Sequence, residues 1–411
     1  MSNTVDQSSF SAALKTLYPP GTMITDQTLT ENPLWGLVPK ETDFYGSNHP
    51  VPINTQQAVG SNTFSYAQSD QHAAEPRAFL VTTVDYYSLA SVSGKTMRAS
   101  KTDMGAFVTA AKWGVDKAIQ KVLKDIARDL YRSGTGSIGQ INSSGLSTGV
   151  FTLANPTDAK HFFYGQVLQC TNGTTDGNTP RAAVGYVKTV NADTGAITVS
   201  SDAVGGAAAT PTSWAASEYV LPRGNSNLAL TGLEGWAPTT APTSSLFGVD
   251  RSEDPIGYGG YRFDGAALPI QEAIVTGMTR AGAYGATITH GFMNNRWRGA
   301  LINALGAKVT YAAISAPPGK SNFKALEVYG DSTTVRIVAD PNCPAAKFWG
   351  LTLSELCLRS SGEAVSLADY GNGEAIGIYN ADAGEMRVVS YLQLECAAPG
   401  WQLNCSLAAT I

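Results

Sequence analysis

Residues Lys101 to Arg132 read KTDMGAFVTAAKWGVDKAIQKVLKDIARDLYR, and this stretch decides the fold. Its apolar side chains, among them Phe107, Val108, Ala111, Val115, Ala118, Ile119, Val122, Ile126 and Leu130, recur three or four apart, the spacing of one helical face. Lys112, Asp116, Lys117, Lys121, Lys124, Asp125, Arg128 and Asp129 fill the opposite side. Ser100 and Asp103 are placed like a capping box, in which a side-chain oxygen satisfies an orphan amide and an acid meets the positive helix end. Arg132 and then Gly134 mark the far end, where a cation and a left-handed residue are favoured. At about 1.5 Å per residue the pattern predicts a rod of roughly 45 Å, longer than an ordinary helix of about three turns.

Composition bounds what such a helix serves. The chain has 411 residues, enough for two or three domains, and 43% of them are hydrophobic, enough for a sizeable core. A formal net charge of -5 argues against a protein that coats nucleic acid, because phosphate binding needs clustered Lys and Arg. The 42 glycines and the low charged fraction, 15%, imply many turns and large surfaces buried against something. Cys170, Cys343, Cys357, Cys396 and Cys405 are odd in number and lack CxxC spacing, so reduced thiols in a cytoplasm are expected. The opening residues MSNTVDQSSF hold neither a basic region nor an apolar run, and no stretch approaches the roughly 18 apolar residues of a membrane span. A soluble, unexported chain is expected.

Along the chain, residues 1–31 form a polar arm that cannot build its own core, and 32–40, bracketed by prolines, form an apolar anchor. Between 41 and 98, Phe64 to Ala67 and Leu80 to Val92 carry β-branched and aromatic residues around a polar turn, Gln68 to Pro76, and predict a long hairpin. Its arms are too poor in apolar residues to cover themselves, so a partner surface, most simply another copy of the chain, is expected. Gly134 to Gly149 reads as a Ser/Gly linker ending the helical segment 99–149. Short strands at regular spacing then predict a small all-β module over 150–222, with Asn191 to Gly195 as a hairpin turn. A linker over 223–264 leads to a mixed segment, 265–370, with helical spacing at Leu268 to Gly282 and Asn294 to Leu305. Strands are expected at Lys324 to Tyr329, Thr334 to Val338, Met386 to Cys396 and Trp401 to Leu407, the last two within 371–411. The class is α+β.

Chemical motifs carry little. Gly145-Leu146-Ser147-Thr148-Gly149 matches the nucleophile-elbow pattern, but it leads into a strand instead of a helix. Gly134, Gly136 and Gly139 match a dinucleotide fingerprint, but they follow a helix, so no helix N-terminus is presented to a pyrophosphate. The four histidines lack neighbours at metal-ligand spacing. No catalytic, cofactor-binding or metal site is expected.

The order of segments nevertheless resembles a known family. The arm with Leu17-Tyr18-Pro19, the anchor from Asn32-Pro33-Leu34 to Pro39-Lys40, the hairpin, Ser93-Gly94-Lys95 and the long helix are similar to the major capsid protein of tailed bacteriophages, the Hong Kong 97-type fold. Phe247 to Arg251, Gly260-Tyr261-Arg262, Met293-Asn294-Asn295 and Gly306-Ala307-Lys308 continue the likeness. The resemblance implies a peripheral domain with the spine helix, an extended loop at 41–98, an axial domain at 265–370 and terminal strands returning to the peripheral sheet. It implies a structural protein, not an enzyme, that assembles in the host cytoplasm into hexamers and pentamers of an icosahedral or elongated virion shell around double-stranded DNA. The partners implied are further copies, a scaffold protein, a portal and decoration proteins, with no cofactor and no membrane. Two departures set expectations: no lysine lies between Lys40 and Lys95 to crosslink the loop, and the arm is short, so scaffolding would be separate. Trp35, Lys40, Arg77, Phe79, Tyr87 and Lys95 are the expected subunit contacts. The alternatives are a glycan-binding β-rich surface protein and a serine hydrolase using Ser147.

Overall fold

A computed structural model describes residues 32–54, 63–70, 76–95, 104–305, 311–313, 324–329, 334–368, 376–378 and 381–409. The arm at 1–31 and the Ser100–Asp103 cap lie outside them. The long helix runs Met104–Asp129, and its last turn tightens, with the Tyr131 and Arg132 amides donating to the carbonyls of Arg128 and Asp129 at 3.2 and 3.0 Å. Ala118, Val122, Ile126 and Leu130 form its buried stripe. That stripe faces a sheet in which strand Ala383–Cys396 pairs with Val84–Ser93 on one side and Leu356–Ser360 on the other. Strand Val84–Ser93 alternates, so Tyr86, Ala90 and Val92 point inward, while Tyr87 and Leu89 point to solvent. A Cβ on Gly114 would lie 3.7 Å from the Ala90 methyl, which locates the crossing of helix and strand.

The hairpin differs from expectation. Its ladder is His49–Ile53 against Arg77–Val81, with Val51 opposite Phe79, whereas Val84–Ser93 belongs to the body's sheet and Phe64–Ser69 is a short helix with no buried residue. Pro50 and Pro52 hid the first strand. At alternate positions of a two-stranded ribbon their missing N–H groups share one edge, which a strand tolerates only where no partner follows.

The β module is a closed six-stranded barrel that begins earlier than expected, because Gly139–Ser147, within the linker of 134–149, is one of its strands. Ile138 and Ile141 are buried there, and a Cβ on Gly139 would approach Leu153 Cδ2 to 2.9 Å. Small residues thus reflect close packing, not a flexible tether. Phe151 fills the barrel between Phe162 and Trp214, at ring distances of 6.2 and 5.9 Å. The Asn191 carboxamide closes the expected turn by accepting the amides of Asp193 and Thr194.

Barrel and long helix meet at Pro156–His161. Arg132 donates to Asp158 at 2.9 Å, and Lys121 Nζ stands 5.5 Å from the Phe163 ring centroid. His161 is buried here, its Nε2 has no hydrogen-bond partner among the described residues, and burial followed by the nearby Lys160, Arg128, Arg132 and Lys124 charges holds its pKa well below 6.5. The unfolded chain therefore binds the extra proton, so stability is full above about pH 6.5 and falls as pH drops through it. Melting curves from pH 7 to 5 should show a dependence shallower by up to about 1.4 kcal/mol per pH unit in His161→Phe than in the parent chain. Equal slopes would contradict a neutral, buried His161.

A second sheet runs Tyr261–Asp264, Leu403–Ser406, Lys347–Leu351, His290–Met293, Thr334–Ala339, Lys324–Tyr329 and Tyr311–Ala313. Ile270–Gly282 and Asn295–Leu305 pack on it through Ile274, Met278, Trp297 and Leu301. Three expected boundaries change. The terminal strands split between the two sheets, because the turn at Pro399–Trp401 carries Leu403–Ser406 away from Ala383–Cys396. Leu356–Ser360 and Ser366–Leu367, placed within 265–370, belong to the first sheet. Tyr261–Asp264, placed in the linker, pairs in parallel with Leu403–Ser406. With 22% helix and 36% strand, the class is α+β.

Candidate subunit-contact surface

Two buried polar knots hold the end of the long helix. Arg128 Nε donates to Asp129 Oδ1 at 2.7 Å and Tyr86 OH donates to Oδ2 at 2.9 Å, while the Leu230 amide donates to Tyr86 OH at 2.8 Å. Asp340 accepts Tyr131 OH at 2.9 Å and the Leu34 amide at 3.2 Å on Oδ2, and burial raises its pKa. Hydrogen bonds to these carboxylates thus tie the helix end to the first sheet, the second sheet and the anchor. Arg359 extends the body outward: Nη1 reaches Glu41 Oε2 at 2.6 Å and Asp43 Oδ1 at 2.6 Å, and Nε holds Glu395.

The hairpin ladder packs on this body through Val51, Phe79 and Val81. Arg77 meets Glu253 at 3.3 Å with both side chains exposed, an ion pair of about 0–1 kcal/mol. Phe79 is fully buried by its own chain, edge-on to Trp236 at 5.1 Å and to Tyr258 at 6.4 Å. The expectation that it lacks cover is therefore corrected. Pairing with Val51 sets the register, and a one-residue slip would have exposed Phe79 in place of Leu80. Trp35 is partly buried under Lys40, whose Nζ lies 4.6 Å from the indole and donates to the Trp35 carbonyl. Tyr87 is 55% exposed and shares a 2.9 Å hydrogen bond with Tyr391. Lys95 is exposed two residues beyond strand Val84–Ser93.

Among the described residues, the most exposed large apolar groups were not among the expected contacts. Phe64 is 82% exposed and Tyr66 66%, on the short helix carried by the hairpin, and Tyr45 is 80% exposed at its root. Leu89 joins Tyr87 on the outer face of the first sheet. The signal was their polar surroundings: between Asn62 and Gln71 only Phe64, Tyr66 and Ala67 are apolar, too few to cover one another.

Chemistry is sparse by comparison. Ser147 Oγ donates to the Val150 carbonyl at 3.3 Å, and among the described residues no histidine hydrogen-bonds it. Among the described residues no group of three His, Cys, Asp or Glu is placed to hold a metal, and no helix is long and apolar enough to cross a membrane.

No protein-family model matches the chain, and no curated protein matches it by sequence. Solved structures do. A chain of the cyanophage A-1(L) capsid asymmetric unit is similar at a TM-score of 0.53 and 14% identity, over 93% of this chain and 94% of that one. The holo-SrpI encapsulin complex from Synechococcus elongatus PCC 7942 scores 0.48 at 9% identity, over 98% and 96%. The capsid of the empty GTA particle scores 0.48 at 8% identity, over 94% and 100%. The cyanophage likeness, spanning nearly the whole of both chains, defines the class: the fold is that of a capsid protein. More particularly, the chain has the tailed-phage major capsid protein fold.

Proposed function

We propose that this chain is the major capsid subunit of a tailed-phage head of the Hong Kong 97 type. The observation that carries the reading is a short helix between the hairpin strands that leaves Phe64 and Tyr66 uncovered, on a chain that follows a phage capsid protein over 93% of its length. Aromatic groups exposed on a short helix with no buried residue gain cover from another molecule. The long helix and first sheet act as the peripheral domain, 41–98 as the extended loop, the second sheet and its helices as the axial domain, and the barrel as an addition to the shell. Copies close into hexamers and pentamers through repeated heterologous contacts. A scaffold protein, a portal and decoration proteins are the further partners, and the virion is the place of action.

A net charge of -5 suits this role, since a strongly basic inner wall would trap DNA that must slide during packaging and release. With no lysine from residue 41 to 94, the loop offers no amine for crosslinking, and the shell is held by non-covalent contacts. Sedimentation and negative-stain microscopy of the purified chain, with scaffold supplied, should yield pentamers, hexamers or closed shells. A persistent 43.1 kDa monomer would count against the reading.

A further inference from the structure

The hairpin's root, the 254–257 loop and the 397–401 turn line an open cavity of about 600 Å³. Its charged lining groups are Asp254 and Glu355. Asp254 uses Oδ1 to accept the amides of Ile256 and Gly257, at 3.2 and 2.8 Å, and Glu355 uses Oε1 to accept Ser354 Oγ at 3.2 Å. Oδ2 of Asp254 and Oε2 of Glu355 accept no hydrogen bond among the described residues. Tyr284 and Trp401 also line the cavity and are 57% and 38% exposed, so aromatic surface stands open to solvent beside two carboxylates. Ile53 and Ile256 supply apolar wall.

Carboxylate oxygens beside an aromatic face and an aliphatic wall are complementary to one side-chain type: a cation on an apolar stem. Phosphate groups would be repelled. The chain itself carries suitable groups, since Lys95 and Arg223 are exposed and make no ion pair among the described residues. We infer that this groove receives Lys95 or Arg223 of a second copy of the chain, making it a charge-reading contact between subunits. The inference rests on the capsid reading and deepens it. One groove wall is the root of the hairpin, so the contact would also fix the direction in which the loop leaves the body.

The test is charge reversal in the full chain, in the mixture where the parent chain assembles. Glu355→Arg should melt like the parent chain yet raise the concentration of unassembled subunit by about tenfold or more. Glu272→Arg, exposed on a helix outside the groove, should assemble normally. Adding Lys95→Glu or Arg223→Glu to Glu355→Arg should restore assembly. Unchanged assembly of Glu355→Arg, or failure of both paired reversals to restore it, overturns the groove contact while leaving the capsid reading intact. A parent chain that never assembles overturns both.

Discussion

Replacing Asp129 by alanine should cost about 3–5 kcal/mol of folding stability, the range for stripping one partner from a buried ion pair. Asp129 is fully buried and Arg128 is 2% exposed, so the guanidinium would lose its closest counter-charge in a place water does not reach. Asp125 lies within 3.1 Å of Arg128 Nη1 but also holds Lys121, so it compensates only in part. Tyr86 would lose its acceptor, loosening the link between strand Val84–Ser93 and the helix end. Urea unfolding should show the midpoint falling with little change in slope. A loss below about 1 kcal/mol would show that the knot contributes no more than an ordinary hydrogen bond.

The second large effect falls on assembly instead of folding. Phe64→Ser combined with Tyr66→Ser removes two aromatics that touch no core in their own subunit, so the melting curve should stay within about 0.5 kcal/mol of the parent. Buried aromatic anchors at interfaces are worth about 2 kcal/mol or more each. Losing two at every copy of a repeated contact should leave the subunit in solution, as sedimentation would report. Normal shells from the double variant would remove the distal hairpin from the contact.

What could be read in the chain follows from the range of each signal. The long helix was legible because its stripe repeats through Ala118, Val122, Ile126 and Leu130, a period needing no knowledge of partners. The barrel strands after Val150 were legible from alternation and from the turn at Asn191, whereas Gly139–Ser147 was hidden by the small residues that close packing requires. Strand pairing between distant segments left no local trace. Nothing in the residues of Leu403–Ser406 states that they lie beside Tyr261–Asp264, and not in the sheet of Ala383–Cys396. For the contact surface the limit was register. Tyr87 and Leu89 face outward and Phe79 inward by the parity of their strands, and composition does not reveal that parity.

Parity also separates the two faces of the first sheet in function. The inward face, with Tyr86 and Ala90, is occupied by the helix, while Tyr87 and Leu89 on the outward face are 55% and 59% exposed.

The most direct measurement is a density map of the assembled particle at side-chain resolution. The expected map shows a closed shell in which each subunit keeps its helix against Val84–Ser93 and Ala383–Cys396, with Phe64 and Tyr66 buried on an adjacent subunit. A particle lacking closed symmetry, or a shell in which those two aromatics face solvent, would contradict it.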